Sequence, residues 1–421
     1  MIFFLYQTLI TILLILSPLI IGIRILKKKE DKKRFKEKFC FPSKKRIKGN
    51  LIWFHGSSVG EILSILPLVH ELEKNNSINQ ILITSSTLSS AKILKTFRFT
   101  KTIHQFFPID SILLSNKFLN YWKPTIAIFV ESEIWPSIFK AINKKNIPLL
   151  LLNARVTEKT FKRWNYIKNF SNSVFKNIST AYPQNNETSD YLKKLNVSKI
   201  KKIGNLKFVD NNQDKRIKLS KTLLKNLRNR KFWCASSTHP GEEIICSKVH
   251  TKLKKKYKDL ITIIIPRHIH RVKEIVEQIK NLKLNVVLHS SLPKKLKDAD
   301  IYLVDTYGET KKFYQASNIV FMGKSLTGKG GQNPLEPTRL GAAVLYGPNI
   351  QNFSDIYKLL DKLKITHKVN GVNSLTNLVN KLMIKPYNKK NYLKIKKIGK
   401  KILNETKDEI NSLLNNEIKK T

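Results

Sequence analysis

Short β-rich runs recur along this chain at intervals that leave room for a helix between them, and this alternation restricts the fold more than any other feature. In the first half the runs are Leu51–Phe54, Gln80–Ser85, Thr125–Val130 and Pro148–Leu152. In the second they are Phe232–Ser236, Leu260–Ile265, Leu284–Leu288, Ile301–Val304, Ile319–Met322 and Ala343–Tyr346. Strand, helix-length segment, strand is the pattern of βαβ units, which build parallel sheets with helices on both faces. Ligands of such sheets bind beyond the carboxyl ends of the strands, so chemistry is expected in the residues just after each run. A polar, charge-rich stretch, Val209–Arg230, has no strand-like run and separates the two sets. The chain of 421 residues is longer than one compact α/β domain, and a domain boundary is expected near residue 210. From Lys385 onward the sequence is rich in Lys and Asn and helical in period, with Ile395, Ile398, Ile402 and Leu403 on one face, as in a closing helix. The expected organisation is an anchor helix (1–26), a basic flank (27–49), two Rossmann-like domains (50–210 and 211–385) and the closing helix (386–421).

Residues Met1–Ile23 contain no charged side chain. As a helix they reach roughly 35 Å, slightly more than a hydrocarbon core of about 30 Å. A signal peptide carries its positive charges before the apolar stretch, whereas here they come after it, so the segment reads as an uncleaved anchor. Thirteen Lys or Arg against three acids between Arg24 and Lys48 place the chain beyond the anchor on the cytoplasmic side. Three cysteines, Cys40, Cys234 and Cys246, without CxxC spacing argue against a disulfide framework and a zinc site. The formal net charge of +48 has two readings. One is the Lys, Asn and Ile crowding of a strongly AT-biased genome; the other is a polybasic surface drawn to anionic headgroups by about 1 kcal/mol per basic residue. No RRM aromatic block or zinc knuckle accompanies the charge, and nucleic acid is not an expected partner.

Two constellations lie just after strands of the first half. In His55-Gly56-Ser57-Ser58-Val59-Gly60-Glu61 a strand ends in a small-residue turn before a helix. Glu61 is there either a partner of the helix dipole, worth about 0.3 to 1 kcal/mol, or a catalytic carboxylate at the ligand edge. In Phe129-Val130-Glu131-Ser132-Glu133-Ile134-Trp135-Pro136 two carboxylates and an indole sit at a sheet edge, as a solvated helix start or as a site, with Arg155 as a cation to pair with the acids. The second half supplies Ser236–Glu243, Pro266-Arg267-His268, Asp305–Glu309 and the glycine-rich Gly328–Pro337. Hydroxyls and backbone N–H groups at helix starts suit phosphate, and a glutamate there can hold ribose hydroxyls. Neither a Walker A pattern nor GxGxxG is present. The nine histidines include no HExxH, and no protein-held metal or cofactor is expected.

Taken in order, HGSSVGE, ESEIWP, NARV, GNLKF, STHPGEE, PRH, DTYGE and GGQNPLEP resemble the motifs of the transferases that add 3-deoxy-D-manno-octulosonic acid (Kdo) in lipopolysaccharide assembly. The resemblance covers nearly the whole chain. It implies a GT-B architecture of two Rossmann-like domains facing across a cleft, CMP-Kdo as donor, a lipid A precursor (lipid IVA) as acceptor and an inverting reaction. Carried over residue by residue, it makes Glu61 the general base and assigns Glu131 and Lys207 to stabilising the transition state. For CMP it implies Pro266 and Arg267, then Gly308, Glu309 and Thr310, then Asn333, Pro334, Leu335 and Glu336. The chain departs from the family at Gln332, where a histidine usually precedes the Asn-Pro-Leu-Glu run; glutamine cannot carry a proton at neutral pH. Tyr307, Thr310 and the Ile269-His270 pair also depart. The alternative is another GT-B transferase or a sugar-nucleotide epimerase with a different acceptor. A lipid acyltransferase is disfavoured, because no histidine is followed by an acid after four intervening residues.

Overall fold

The computed structural model describes residues 2–210, 219–228, 230–292, 296–385 and 390–420, without the side chains of 390–392. Residues 211–218 and 229 of the expected boundary stretch, and 386–389 at the expected start of the closing helix, lie outside the described residues. Two compact units form: residues 1–211 together with 398–421, and residues 212–397.

The first unit runs α1 (Ile2–Leu26), β1 (Leu51–His55), α2 (Val59–Leu72), β2 (Gln80–Ser85), α3 (Leu88–Leu94), β3 (Thr102–Phe106), α4 (Ile112–Trp122) and β4 (Ile126–Val130). It continues with α5 (Pro136–Lys144), β5 (Leu149–Ala154), α6 (Glu158–Tyr166), α7 (Lys168–Phe175), β6 (Thr180–Pro183) and α8 (Asn186–Lys194). Every strand pairing is parallel, in the order β3-β2-β1-β4-β5-β6. Strands β1, β2, β4 and β5 are buried at every residue, which is why they read as continuous apolar runs and not as alternations. Strands β3 and β6 had no apolar run to announce them. They are edge strands, and β3 carries Thr102 and His104 on a partly exposed rim. Helix α2 begins at Val59 and keeps Pro67 inside it.

The second unit runs α9 (Lys221–Arg228), β7 (Phe232–Thr238), α10 (Glu242–Lys254), β8 (Ile261–Pro266), α11 (Val272–Lys280), β9 (Val286–Leu288), β10 (Ile301–Leu303) and α12 (Thr310–Ala316). It continues with β11 (Ile319–Met322), α13 (Leu335–Arg339), β12 (Ala343–Tyr346), α14 (Ser354–Lys362), β13 (Thr366–Lys368) and α15 (Val372–Ile384). Its parallel sheet has the order β13-β12-β11-β7-β8-β10-β9. Helices pack both faces of this sheet. Trp233, Ile264 and Phe321 point into one core, with Val249 of α10, while Cys234, Ile263 and Val320 point into the other, with Tyr357 of α14.

The last helix, α16 (Lys390–Ile418), belongs from Ile398 onward to the first unit. Ile402, Thr406, Ile410 and Leu414 are buried along one stripe, and Glu409 receives Lys201 and the Tyr182 hydroxyl. A side chain at Gly399 would bring a Cβ within 2.3 Å of the Phe208 carbonyl, so glycine allows α16 to lie directly on the turn that carries Lys207.

Candidate functional site

In both sheets the chain reverses its direction of travel between two central neighbours, β1 and β4 in the first and β7 and β11 in the second. A crevice forms beyond the carboxyl ends of such a pair. The expected residues of the first unit cluster there.

After β1, Ser58 caps α2 and accepts the Glu61 N–H at 3.2 Å, while the Glu61 carboxylate accepts the Ser58 hydroxyl at 2.8 Å and the Ser57 N–H at 2.7 Å. This is a capping box, so Glu61 does hold the helix start. A carboxylate has about four lone-pair positions, and these bonds leave capacity for a substrate hydroxyl. Burial raises the Glu61 carboxyl above the ordinary carboxylate range, and the charges of Glu133 and Glu131 raise it further. A carboxylate so placed is a stronger base than one in water. Gly56 makes the packing possible, since a Cβ there would lie 3.2 Å from the Glu61 Cβ.

After β4, Glu131 and Glu133 occupy different niches. Glu133 Oε2 accepts the Ser57 hydroxyl at 2.6 Å and the Trp135 indole N–H at 2.8 Å, and faces His55 Nε2 at 3.1 Å. His55 is fully buried, its ring stacked on Phe107 with centroids 3.7 Å apart and its Nδ1 3.0 Å from the Thr84 hydroxyl. Burial lowers the His55 pKa; burial opposes ionisation of Glu133 too, but hydrogen bonds from His55, Ser57 and Trp135 hold its carboxyl below the usual range. The pair is therefore a neutral imidazole donating from Nε2 to an ionised carboxylate, which fixes both groups beside the Glu61 turn. Neither the His55 role nor the contact from Glu133 to Ser57 could be found from sequence spacing, because the partners are 78 and 76 residues apart.

Glu131 is 8% exposed and adopts a left-handed backbone with φ of 57°, as does Asn153 at the end of β5 with φ of 52°. Such conformations cost roughly 1 to 3 kcal/mol and concentrate where a loop must present a side chain. The cation at Glu131 is Lys207, with Nζ 2.6 Å from Oε1; the geometry is an ion pair without hydrogen-bond alignment. Arg155, expected to pair with these acids, instead supplies backbone: its N–H donates to the Glu131 carbonyl and its carbonyl accepts the Ser132 hydroxyl. Lys207 is set by the turn Leu206–Phe208. Asn205 caps that turn, the Asn153 side chain accepts the Leu206 N–H, and Gly204, with φ of 122°, packs on Ile402.

In the second unit the nucleotide candidates come after β8, β10 and β11, and the sheet order β11-β7-β8-β10 lines up these carboxyl ends on either side of β7. Pro266 ends β8 and Arg267 succeeds it, exposed, its N–H bonded to the Thr238 carbonyl. Gly308, at φ of 85°, turns the chain into Glu309 and Thr310 at the start of α12. Glu309 pairs with Lys312 at 2.8 Å and lies 3.5 Å from His289 Nε2. Asn333 accepts the Leu335 N–H, Pro334 precedes α13, and Glu336 stands 3.2 Å from Lys311. Gln332 gives its carbonyl to the Tyr357 hydroxyl.

Glu242 is the group to which the sequence alone gives no role. Fully buried, it accepts N–H groups from His239 at 2.9 Å, Lys324 at 2.7 Å, Ser325 at 3.0 Å and Leu326 at 2.9 Å. It ties the loop after β7 to the loop after β11, the two neighbours at the reversal point. Gly323 lets those loops touch, since a Cβ there would meet the Ser237 carbonyl at 2.3 Å.

Two Rossmann-like domains, each built on a parallel sheet, define the GT-B class of glycosyltransferase folds. Two solved structures share it: UDP-GlcNAc 2-epimerase from Neisseria meningitidis (TM-score 0.60, 16% identity, 87% of this chain and 99% of that one) and a glycosyltransferase from Rickettsia africae (TM-score 0.58, 14% identity, 89% and 100%). Residues 33–210 match the family described as 3-Deoxy-D-manno-octulosonic-acid transferase (kdotransferase). The 3-deoxy-D-manno-octulosonic acid transferase of Rickettsia bellii is 35% identical over 412 residues, covering 95% of this chain and 97% of that protein. This chain belongs to the Kdo transferase family and is a glycosyltransferase.

Proposed function

We propose that this Kdo transferase takes Kdo from CMP-Kdo and delivers it, with inversion, to a lipid A precursor, lipid IVA, at the cytoplasmic face of an inner membrane. The observation that carries the mechanism is the Glu61 carboxyl, raised by burial and by Glu133 and Glu131 at the reversal point between β1 and β4. Glu61 takes the proton of the acceptor hydroxyl as its oxygen attacks the anomeric carbon of Kdo. The bond from that carbon to the CMP phosphate oxygen breaks, and CMP leaves with the electron pair. A general base contributes about 10² to 10⁴-fold to such a step.

Lys207 and Glu131 act as a unit. The ammonium answers the negative charge that grows on the departing phosphate, and Glu131 holds it in place. Arg267, Gly308, Glu309, Thr310 and the Asn333–Glu336 turn bind CMP, Arg267 at the phosphate and the glutamates at ribose hydroxyls. The sequence match along the whole chain supports transfer of Kdo, the activity that the relatives carry by name, and the donor and acceptor rest on the resemblance of the motifs. Incubation with CMP-Kdo and lipid IVA, followed by mass spectrometry of the lipid, tests this reading. The expected product is heavier by one or more Kdo residues with stoichiometric CMP release, and an unmodified lipid with intact CMP-Kdo contradicts it.

A further inference from the structure

Helix α1 is apolar enough to cross a bilayer, with a mean hydropathy of 2.6 over its best window, yet only 11% of that window is buried. The contacts of its first turns bear on how it meets lipid. Tyr6 donates its hydroxyl to Asp110 Oδ2 at 2.6 Å, and Gln7 Nε2 donates to the Ser137 hydroxyl at 2.8 Å. Phe3 lies 6.3 Å from the Phe170 ring, with the Lys140 ammonium 4.3 Å from its centroid. Asp110 is buried and also accepts the first N–H groups of α5, from Ser137 and Ile138, so the amino-terminal end of α1 is fixed to the segments that follow β3 and β4 of the first unit.

The carboxyl-terminal end is fixed to the same unit. Arg24 pairs with buried Glu30, which also receives Lys38, and Arg34 in the next turn reaches the His104 carbonyl on β3. Between the ends, Phe3, Tyr6, Gln7, Leu14, Ser17 and Ile21 are buried or half-buried and recur at helical spacing, so one face tracks the unit along the whole helix. Gln7, Thr11 and Leu14 share a cavity of about 940 Å³ with Asn116, Asn120 and Tyr121 of α4. Tyr6 and Arg24 are about 27 Å apart along the axis, close to a full hydrocarbon thickness. Were α1 upright in a bilayer with the unit at its Arg24 end, Tyr6 and Gln7 would lie at the opposite surface, out of reach of Asp110 and Ser137.

The opposite face, including Phe4, Leu5, Leu9, Ile15, Leu19 and Ile23, is exposed, and the exposed hydroxyls of Thr8 and Thr11 are already satisfied by the Phe4 and Gln7 carbonyls. A contiguous apolar stripe of this length is far larger than a soluble monomer leaves in water. Thirteen basic residues between Arg24 and Lys48 adjoin it and match the charge of anionic headgroups. We propose that α1 lies along one leaflet, parallel to the membrane plane, its apolar face in the acyl region and both of its ends on the side of the catalytic units. The partner is the lipid bilayer, and the proposal rests on the membrane association proposed above.

The test uses the full chain in sealed membrane vesicles of either orientation. Cys40, Cys234 and Cys246 are buried, so Ile2→Cys, at an exposed position, introduces the accessible thiol. A membrane-impermeant maleimide is expected to label it when the catalytic units face the bath and to leave it at background when they face the lumen. Gln7→Cys with Ser137→Cys is expected to cross-link under mild oxidation in the same vesicles. Labelling of Ile2→Cys only when the units face the lumen overturns the in-plane placement and leaves membrane association standing. Recovery of the chain as a soluble dimer that does not float with vesicles overturns both, since a second copy would then cover the apolar face.

Discussion

Lys207 Nζ stands 2.6 Å from Glu131 Oε1, and both side chains are held by strained or closely packed backbone, Glu131 at φ of 57° and Lys207 in the turn braced against Gly399 and Ile402. Neither could find the other in an unfolded chain without the β4–β5 pairing and the final helix.

Lys207→Met leaves the nearly buried Glu131 carboxylate without its cation, and is expected to destabilise the first unit by about 3 kcal/mol as well as to stop turnover. Adding Glu131→Gln removes the orphaned charge, so the double variant should regain part of the lost thermal stability and none of the activity. Recovery of both would make the pair structural. Thermal melts beside a CMP-release assay give the comparison.

Glu242→Gln replaces an acceptor of five backbone N–H groups, that of Thr327 included, by an amide with one acceptor oxygen. The second unit should lose about 2 to 3 kcal/mol of stability. Donor affinity should fall with it, because the loops after β7 and β11 come apart. Denaturant unfolding with and without CMP measures both effects.

Arg267→Ala and Glu336→Gln change exposed or half-exposed groups in loops and should leave the melting temperature nearly unchanged. Each should weaken CMP binding by about 1.5 to 3 kcal/mol, roughly ten- to a hundredfold in Kd, read by calorimetric titration. Unchanged affinity in both moves the nucleotide elsewhere.

His250 is fully buried between the Thr262 hydroxyl at 3.0 Å and Asp300 at 3.4 Å, and burial, aided by the nearby charges of Lys254 and Arg230, lowers its pKa from 6.5 to about 3. The unfolded chain therefore binds one more proton than the folded one between these values. Stability that the neutral ring contributes is complete above about pH 6.5 and falls as pH drops toward 3, by up to about 1.4 kcal/mol per pH unit. His250→Phe should flatten the slope of stability against pH in that window, whatever it does to stability at pH 8.

The first half of the sheet arrangement was legible in residues 51–152 because β1, β2, β4 and β5 are buried on both faces and so spell unbroken apolar runs. Edge strands β3, β6 and β13 were not: β3 and β13 share their surface with water and keep Thr, His and Lys, and β6, though buried, is only four residues long. The face of α16 was legible from its period through Ile395 and Ile402, whereas its partner was not: Glu409 meets Tyr182 and Lys201 across more than 200 residues of chain. At the candidate site, Glu61 and Glu131 were marked by their place just after strands, and Lys207 by the resemblance of its motif to a family. The choice of Lys207 over Arg155, the His55–Glu133 pair and the Glu242 clamp are products of tertiary contact and have no local signature.

The acidic limb of the rate profile gives a second view of Glu61. Burial first, then Glu133 and Glu131, raise its carboxyl above 4.5, so activity should be lost on acidification at a pH above the ordinary carboxylate value. Glu133→Gln removes one negative neighbour and should move that limb to lower pH. A limb that stays in place detaches the acidic limb from Glu61.

The most direct measurement compares turnover of the native chain and Glu61→Gln with saturating CMP-Kdo and lipid IVA, with CMP affinity as the control. Glutamine keeps the capping box, because its amide can still meet Ser58, and it cannot accept the acceptor's proton. If Glu61 is the base, turnover falls about 10² to 10⁴-fold while CMP affinity and the melting temperature hold. If Glu61 only caps α2, turnover falls less than about fivefold, and the catalytic account of this residue is wrong.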